Sequence, residues 1–381
     1  METKLLNGNN KEAIAEASKI LQDGGLVAFP TETVYGLGAD ALNADAAAKI
    51  YAAKGRPSDN PLIVHIADTD AVEKLADLET MNRTHPDMVK KAHMLMEAFW
   101  PGPLTIIFPK LAIVPDGTTG GLPTVAIRMP SHPIAQELIR TSGVSIAAPS
   151  ANTSGRPSPT TAQHVWEDMD GRIEMILDGG AVGIGIESTI VDMTGTIPTI
   201  LRPGFITKTM LSEIVGDVTI DPAIIEPDPN LRPKAPGMKY THYAPHGTLS
   251  IVEAVADESA NRASLHSGVK VSYNATEAET LRVAEKIKAL VNEKEAQGYK
   301  VAILTTKEHA SLYKNYSHVL IVGEGSKGQT ISARLYAALR ECDSEQMEYM
   351  YSEAFDQNEL GGAIMNRLLK AAGWRVNTGL A

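Results

Sequence analysis

Two runs near the beginning of the chain decide its fold: Phe29-Pro-Thr-Glu-Thr-Val-Tyr-Gly-Leu-Gly38 and Lys54-Gly-Arg-Pro-Ser-Asp-Asn-Pro-Leu-Ile-Val-His65. Residues 43–54 between them predict a helix, because a polar N-cap precedes an alanine-rich interior and Gly55 stands where helices commonly end. The helix therefore brings the two cations of the second run to a sharp, Pro-rich bend.

Those cations are candidates for ligand binding. Lys54 lies in the last turn of the predicted helix, and Arg56 lies just beyond its end. Two cations beside a turn, facing the hydroxyls of Thr31 and Thr33, suit a polyanionic ligand such as a nucleotide phosphate. The alternative is a solvated Lys–Arg pair on an ordinary turn, because surface cations are common.

A second candidate loop is Ser145-Ile-Ala-Ala-Pro-Ser-Ala-Asn-Thr-Ser-Gly-Arg-Pro-Ser-Pro-Thr160. The sequence has no acidic residue from Ser145 to Val165, so this loop could present N–H groups and hydroxyls to a phosphate without repelling it. A plain connector is the alternative. Neither a GxxxxGKS loop nor a GxGxxG run after a strand occurs, so we do not expect a P-loop NTPase.

Arg128 ends a predicted strand that begins at Thr124. Asp116 is the only carboxylate between Pro101 and Ser131, so Arg128 has no obvious partner nearby in sequence. A structural ion pair with a distant residue and a bidentate grip on a ligand carboxylate are both open.

Composition sets limits on the function. The 381 residues are 43% hydrophobic and 21% charged, which is typical of folded domains, and the net charge of −11 argues against nonspecific nucleic-acid binding. A single cysteine, Cys342, excludes an internal disulfide and fits a reducing compartment. Without a signal-peptide pattern or an apolar run of about 20 residues, we expect a cytoplasmic protein with no membrane association.

The chain divides into three parts. We expect a catalytic α/β domain at residues 1–215, a Pro-rich linker and active-site lid at 216–247, and a second α/β domain at 248–381. In the first domain, helices are predicted at 11–22, about 70–78 and 86–99. In the second, apolar strands alternate with helices, which predicts a parallel sheet: strands at 249–252, 301–304 and 319–322, and helices at about 276–297, 328–341 and 361–372.

Several runs closely resemble the YrdC/Sua5 family: PTETVYGLG from Pro30, KGRPSDNPL from Lys54, WPGPLT from Trp100, VAIRMP from Val125, APSAN from Ala148 and LRPG from Leu201. The segment from Ala235 to Pro245 is similar to the lid of the longer Sua5 branch, although Ala235 stands where that branch has Ser. The resemblance spans essentially the whole chain. It implies a YrdC-like twisted open sheet with helices, followed by a smaller Rossmann-like parallel α/β domain.

The resemblance also implies a set of site residues. The catalytic tetrad would be Lys54, Arg56, Ser150 and Asn152. ATP would contact Arg56, Asn60, Thr124, Ser150, Ser158, Arg202, His242 and Tyr243, the last two from the lid. L-Threonine would contact Thr33, His65, Arg128, Ala148 and Ser188. No metal ligand is implied, and Mg²⁺ would be carried by the nucleotide phosphates.

The activity implied is L-threonylcarbamoyladenylate synthase, a nucleotidyltransferase that makes threonylcarbamoyl-AMP and pyrophosphate from L-threonine, bicarbonate and ATP. The product would serve the t6A37 modification of tRNA, which a separate transferase completes, with no stable nucleic-acid binding by this chain. One alternative is an RNA-binding or ribosome-associated module of the same fold. Another is a carbamoyl-adenylate enzyme related to hydrogenase-maturation carbamoyltransferases, whose acylphosphatase and zinc-finger segments this chain lacks.

Overall fold

The computed structural model describes residues 2–224, 235–236, 242–253, 276–355 and 360–378. The chain forms two compact units. The first comprises Met1–Ser154 and Ser158–Tyr240, and the second comprises Gly155–Pro157 and Thr241–Ala381. Within the predicted linker, residues 225–234 and 237–241 lie outside the described residues.

In the part of the first unit that the structure describes, eleven strands form a mixed sheet with helices. Its strands are β1 (Lys4–Asn7), β2 (Val27–Phe29), β3 (Gly36–Asp40), β4 (Ile63–His65), β5 (Leu104–Pro109), β6 (Thr124–Arg128), β7 (Ile146–Ala147), β8 (Met175–Asp178), β9 (Thr189–Asp192), β10 (Thr199–Arg202) and β11 (Thr219–Ile220). Its helices are α1 (Lys11–Gln22), α2 (Ala44–Lys54), α3 (Leu78–Thr84), α4 (Pro86–Phe99), α5 (Asp116–Thr119), α6 (Pro133–Ser142), α7 (Ala162–Met169) and α8 (Lys208–Val215). The strand order is β1-β8-β2-β3-β7-β4-β6-β5-β9-β10-β11.

The two faces of this sheet carry different helices. Along β2, Val27 and Phe29 pack in the cluster that contains buried residues of α1 and α6. Ala28, between them, packs in the cluster that contains buried residues of α2, α4, α7 and α8. Successive strand residues point to opposite faces. The sheet is therefore covered on both sides.

Local sequence explains the helix that carries Lys54. The Asn43 side chain accepts hydrogen bonds from the backbone N–H groups of Asp45 and Ala46 at the start of α2. At its end, Gly55 adopts a left-handed conformation with φ of 63°. The predicted helix at 43–54 is confirmed, and so are those at 11–22 and 86–99.

The prediction of a helix at about residues 70–78 is wrong. The chain forms a short 3₁₀ helix at Thr69–Lys74 and begins α3 only at Leu78. Between them, Leu75 accepts a hydrogen bond from the N–H of Leu111, and Ala76 forms a β-bridge with Lys110. Pairing with the segment after β5 therefore replaces helical hydrogen bonds at this point.

Among its described residues, the second unit contains a five-stranded sheet whose strands are all parallel, which confirms the predicted α/β class. Its strands are β12 (Thr248–Glu253), β13 (Val301–Thr305), β14 (Val319–Ile321), β15 (Tyr349–Glu353) and β16 (Val376–Thr378). Its helices are α9 (Glu277–Ala296), α10 (Gly328–Ser344) and α11 (Leu360–Ala371), with a 3₁₀ helix at Ala310–Tyr313. The strand order is β14-β13-β15-β12-β16.

Three strands and three helices of this unit match their predictions, whereas β15 and β16 were missed. β15 reads Tyr-Met-Tyr-Ser-Glu, and polar residues occupy its end, so it lacks the continuous apolar signal of a buried parallel strand. Among the helices that the structure describes, none is long and apolar enough to cross a bilayer.

Candidate functional site

Lys54 ties α2 to the loop after β7. Its side chain is buried at 3% exposure, and Nζ donates to the main-chain carbonyls of Ser150, at 2.6 Å, and of Asn152. The Lys54 carbonyl in turn accepts from the N–H of Ser154 at 2.8 Å. A buried ammonium group needs such acceptors to offset its lost hydration. The structure therefore brings the two predicted halves of the tetrad together.

Arg56 and Asn60 lie on the bend that follows α2. Arg56 donates from Nε to the Asn60 carbonyl at 3.3 Å and from Nη2 to the Pro61 carbonyl at 3.2 Å. Asn60 is buried at 1% exposure, and its Oδ1 has no hydrogen-bond partner among the described residues. Buried polar atoms are normally paired, so this oxygen is available to accept a hydrogen bond from a water molecule or a ligand.

The Ser150–Asn152 turn is held by its own side chains. Ser150 Oγ donates to Asn152 Oδ1 at 2.5 Å, and Asn152 Nδ2 donates to the Thr153 carbonyl at 2.7 Å. An antiparallel bridge between Ser150 and Gly36 attaches the turn to β3. The turn is thus a rigid element with small polar groups on it.

Two carboxylates pack against this loop, although the sequence has none within it. Asp168 of α7 accepts from the Thr153 N–H at 3.1 Å, and Glu187 accepts from Ser158 Oγ at 2.6 Å. Both are buried, at 4% and 7% exposure. Both acids reach the loop from outside residues 145–165, so the absence of acidic residues within the loop does not keep carboxylates away from it. Each accepts a hydrogen bond that holds the loop in place.

Arg128 and His65 are neighbours because β4 and β6 pair in register. Arg128, 4% exposed, donates from Nη1 to Thr33 Oγ1 at 3.0 Å and from Nη2 to Glu32 Oε1 at 2.7 Å. Glu32 also accepts from the Ser131 N–H at 3.1 Å. Arg128, which has no carboxylate partner nearby in sequence, therefore forms an ion pair with the distant residue Glu32.

His65 is a neutral member of this group. Burial, with the adjacent Arg128 guanidinium as the next cause, lowers the pKa of His65 to about 3. Its Nδ1 lies 3.1 Å from the Ile63 carbonyl oxygen, and its ring meets that of Phe29 edge to face at 6.1 Å. Arg128, rather than His65, therefore supplies positive charge here at neutral pH.

Ser188, which immediately precedes β9, and Arg202, which ends β10, form a second group. Arg202 donates from Nε to the Ser188 carbonyl at 3.0 Å and from Nη2 to Ser188 Oγ at 3.1 Å. Ser188 Oγ also lies 2.8 Å from Thr105 Oγ1, and Thr105 pairs in register with Arg128. These contacts connect two residues that were expected to bind different substrates. Sequence reasoning missed Thr105, although it belongs to the WPGPLT run.

The remaining candidates lie at different places. Ala148 is buried at 3% exposure beside Gly36, and its N–H donates to the Ile63 carbonyl at 2.8 Å. Thr124 begins β6 and Arg128 ends it, so they lie roughly 13 Å apart along the strand. Thr124 is therefore not a neighbour of the Arg128 group. A ligand that contacts both Thr124 and Arg128 would have to be extended along β6.

The two lid candidates, His242 and Tyr243, belong to the second unit. Tyr243 is buried at 6% exposure, with its ring centroid 5.5 Å from that of His242 and 5.2 Å from that of Tyr336. Its φ of 68° is rare for a residue with a side chain. Residues 237–241, which precede them, lie outside the described part of the chain.

Comparisons with known proteins bear on this arrangement. A family model described as "Telomere recombination", for Sua5, YciO and YrdC proteins, matches residues 19–204. A second, described as "Threonylcarbamoyl-AMP synthase, C-terminal domain", matches residues 206–373. Together the two models span most of the chain.

Full-length relatives are similar to the chain over both parts. Threonylcarbamoyl-AMP synthase from Bacillus subtilis (strain 168) is 46% identical over 96% of this chain and 95% of its own length. Its counterpart from Pyrococcus abyssi is 41% identical over 97% and 98%. The crystal structure of P. abyssi Sua5 complexed with L-threonine matches with a TM-score of 0.84 at 40% identity, covering 99% of each chain.

Proposed function

Because the chain belongs to the Sua5 family of threonylcarbamoyl-AMP synthases, we propose that it makes threonylcarbamoyl-AMP and pyrophosphate from L-threonine, bicarbonate and ATP. The observation that carries the proposal is the likeness, over 99% of the chain, to a Sua5 whose structure contains L-threonine. The RNA-binding alternative is not favoured, since both the family models and the full-length relatives indicate a synthase.

For threonine, the group around Arg128 is the proposed pocket. The Arg128 guanidinium would grip the substrate carboxylate, and its bonds to Glu32 and Thr33 support this role by holding the planar group in one orientation. Neutral His65 adds polar contacts without a second charge. Ala148 and Ser188 would complete the pocket, as the family resemblance implies.

For ATP, the proposed contacts are Lys54, Arg56, Ser150 and Asn152 around the phosphates, with Asn60, Thr124, Ser158, Arg202, His242 and Tyr243 along the rest of the nucleotide. The orphaned Oδ1 of buried Asn60 supports this assignment, because a ligand donor would satisfy it. Mg²⁺ would enter with ATP and neutralise phosphate charge. The described residues contain no group of three His, Cys, Asp or Glu side chains that could hold it unaided.

The reaction needs positioning more than covalent chemistry. The threonine amine and bicarbonate would condense to a carbamate with loss of water. A carbamate oxygen would then attack the α-phosphorus of ATP, and pyrophosphate would leave. The enzyme's contribution would be to align the carbamate with the α-phosphate, exclude water and offset the developing charge. The product would then pass to a separate transferase for t6A37 modification of tRNA.

Pyrophosphate release by the purified chain tests the proposal. We expect release from ATP that requires both L-threonine and bicarbonate, each omitted in turn, with L-serine in place of L-threonine as a specificity control. Mass spectrometry should find threonylcarbamoyl-AMP in equal amount. Release that needs neither cosubstrate, or no release under any condition, would refute the proposed reaction.

A further inference from the structure

The loop of the candidate ATP site contains three residues that belong to the second unit. The chain enters that unit at Gly155 and leaves it after Pro157, between Asn152 and Ser158. Whatever holds these three residues therefore restrains both ends of the loop through the main chain. Within the second unit, α10 and Ala244 form hydrogen bonds with this segment.

Arg340 of α10 holds the end of the segment. Its guanidinium donates from Nε and from Nη2 to the Pro157 carbonyl, at 3.1 and 2.7 Å, and the residue is buried at 4% exposure. The carbonyl belongs to the peptide bond that leads into Ser158. Two charge-assisted hydrogen bonds on one oxygen fix the orientation of that peptide plane.

Asp343 of α10 holds the middle of the segment and a second stretch of chain as well. Its side chain is 4% exposed; Oδ2 accepts from Arg156 Nη2 at 3.1 Å, and Oδ1 accepts from the N–H of His246 at 2.6 Å. The N–H of Ala244 donates to the Gly155 carbonyl at 2.8 Å. One carboxylate thus links the loop segment to the chain just after the lid candidates.

Tyr336 extends the same helix face. Residues 336, 340 and 343 are spaced i, i+4 and i+7, so their side chains lie on one side of α10. The Tyr336 ring is fully buried and packs against Tyr243 with an interplanar angle of 31°. Tyr243 has a positive φ of 68°, and packing has to maintain such a backbone.

We propose that Tyr336, Arg340 and Asp343 are positioning residues for ATP. They act through other groups: Arg340 and Asp343 hold Gly155–Pro157, and Tyr336 holds Tyr243. This inference rests on the proposed role of Ser150, Asn152, Ser158 and Tyr243 in ATP binding. The three side chains would keep Gly155–Pro157, and through the main chain the residues on either side of that segment, in the conformation that binds the nucleotide.

The sharpest test is Asp343→Asn. The amide keeps an oxygen that accepts from the His246 N–H, but places an NH₂ group opposite the Arg156 guanidinium, so the ion pair is lost with little change in shape. We expect the KM for ATP to rise about tenfold, the effect of one charged hydrogen bond, while the KM for threonine stays within about twofold. Arg156→Lys should retain more ATP affinity than Arg156→Gln.

The control is Arg334→Gln. Arg334 is on the same helix and pairs with Glu341 at the surface, with side-chain exposures of 43% and 36%. Its loss should leave both KM values unchanged. Equal rises in both KM values for Asp343→Asn, or a wild-type KM for ATP in a folded variant, would overturn the proposal.

Amide hydrogen exchange of residues 150–160, measured without ATP, tests the positioning role independently of the proposed synthase reaction. We expect faster amide exchange in this loop for Asp343→Asn, and unchanged exchange for Arg334→Gln. Loop exchange that is the same in Asp343→Asn and wild type overturns the positioning role even if the synthase reaction is established. Faster exchange in a protein that releases no pyrophosphate would instead leave the loop restraint standing and refute the proposed function.

Discussion

Lys54 is a charged group that the fold keeps out of water. Its ammonium donates to carbonyls of the Ser150–Asn152 turn, so it serves both as a structural link and as positive charge at the proposed phosphate site. A methionine in its place would preserve the length of the side chain and remove both properties. Two carbonyls would then lose a donor in a buried position.

We therefore expect Lys54→Met to lower the rate of pyrophosphate release by about 100-fold or more, the usual cost of losing a group that stabilises transition-state charge. Lys49→Met is the matched control, because Lys49 is on the same helix and donates to the Gly24 carbonyl at 2.6 Å. Near wild-type turnover by a folded Lys54→Met protein would remove Lys54 from the catalytic tetrad.

His65 connects the site to the pH dependence of stability. Its pKa in the folded protein is about 3, below its ordinary value of 6.5, so between these values the unfolded chain binds a proton that the folded chain does not. The contribution of His65 to the free energy of unfolding is therefore largest above pH 6.5 and falls as the pH is lowered toward 3. The slope is about 1.4 kcal/mol per pH unit for this group.

Replacing His65 with Gln should remove that slope. We expect the difference in unfolding free energy between wild type and His65→Gln to shrink by about 2 kcal/mol from pH 7 to pH 5, measured by urea denaturation. A difference that stays constant over this range would mean that His65 binds its proton equally in the folded and the unfolded chain, contrary to its buried position.

At the scale of elements, the end of α2 depends on a glycine. Gly55 and Gly120 both have left-handed backbones, with φ of 63° and 60°. A Cβ at Gly55 would meet nothing within 4 Å, whereas one at Gly120 would lie 2.9 Å from the Asp59 carbonyl oxygen. Substitution at Gly55 would therefore introduce backbone strain alone, whereas substitution at Gly120 would introduce backbone strain and steric overlap.

We expect Gly55→Ala to lower the free energy of unfolding by about 1 kcal/mol, the cost of a left-handed alanine. Gly120→Ala should cost more, because the same strain is joined by overlap with the bend that carries Asn60. Urea denaturation of both variants measures the comparison. An equal loss at the two positions would contradict the overlap at Gly120.

At the scale of the molecule, net charge bears on partners. The chain carries −11 at pH 7, so its overall field repels the phosphate backbone of RNA. We expect no band shift of tRNA in about 0.15 M salt at micromolar protein, with or without ATP. A salt-sensitive shift would revive the RNA-binding alternative and direct attention to a local basic surface.

The sequence by itself determined the features that depend on near neighbours. Helix α2 and its Gly55 end follow from residues within one turn of each other, and so do three of the strands and three of the helices of the second unit. The motif runs also identify the family, because they are specific as strings of residues. That resemblance also predicts that Lys54 and the Ser150–Asn152 turn belong to one site. In the structure, Lys54 and this turn are in contact.

Only the tertiary structure decided which distant groups meet. Arg128 and Glu32 are 96 residues apart, and Arg156 and Asp343 are 187 apart, yet each pair shares a hydrogen bond. Asp168 and Glu187 likewise reach the Ser150–Ser158 loop from later elements. Helical and turn signals extend over a few residues, whereas these pairings depend on strand order and packing, which bring far parts of the chain within hydrogen-bond distance.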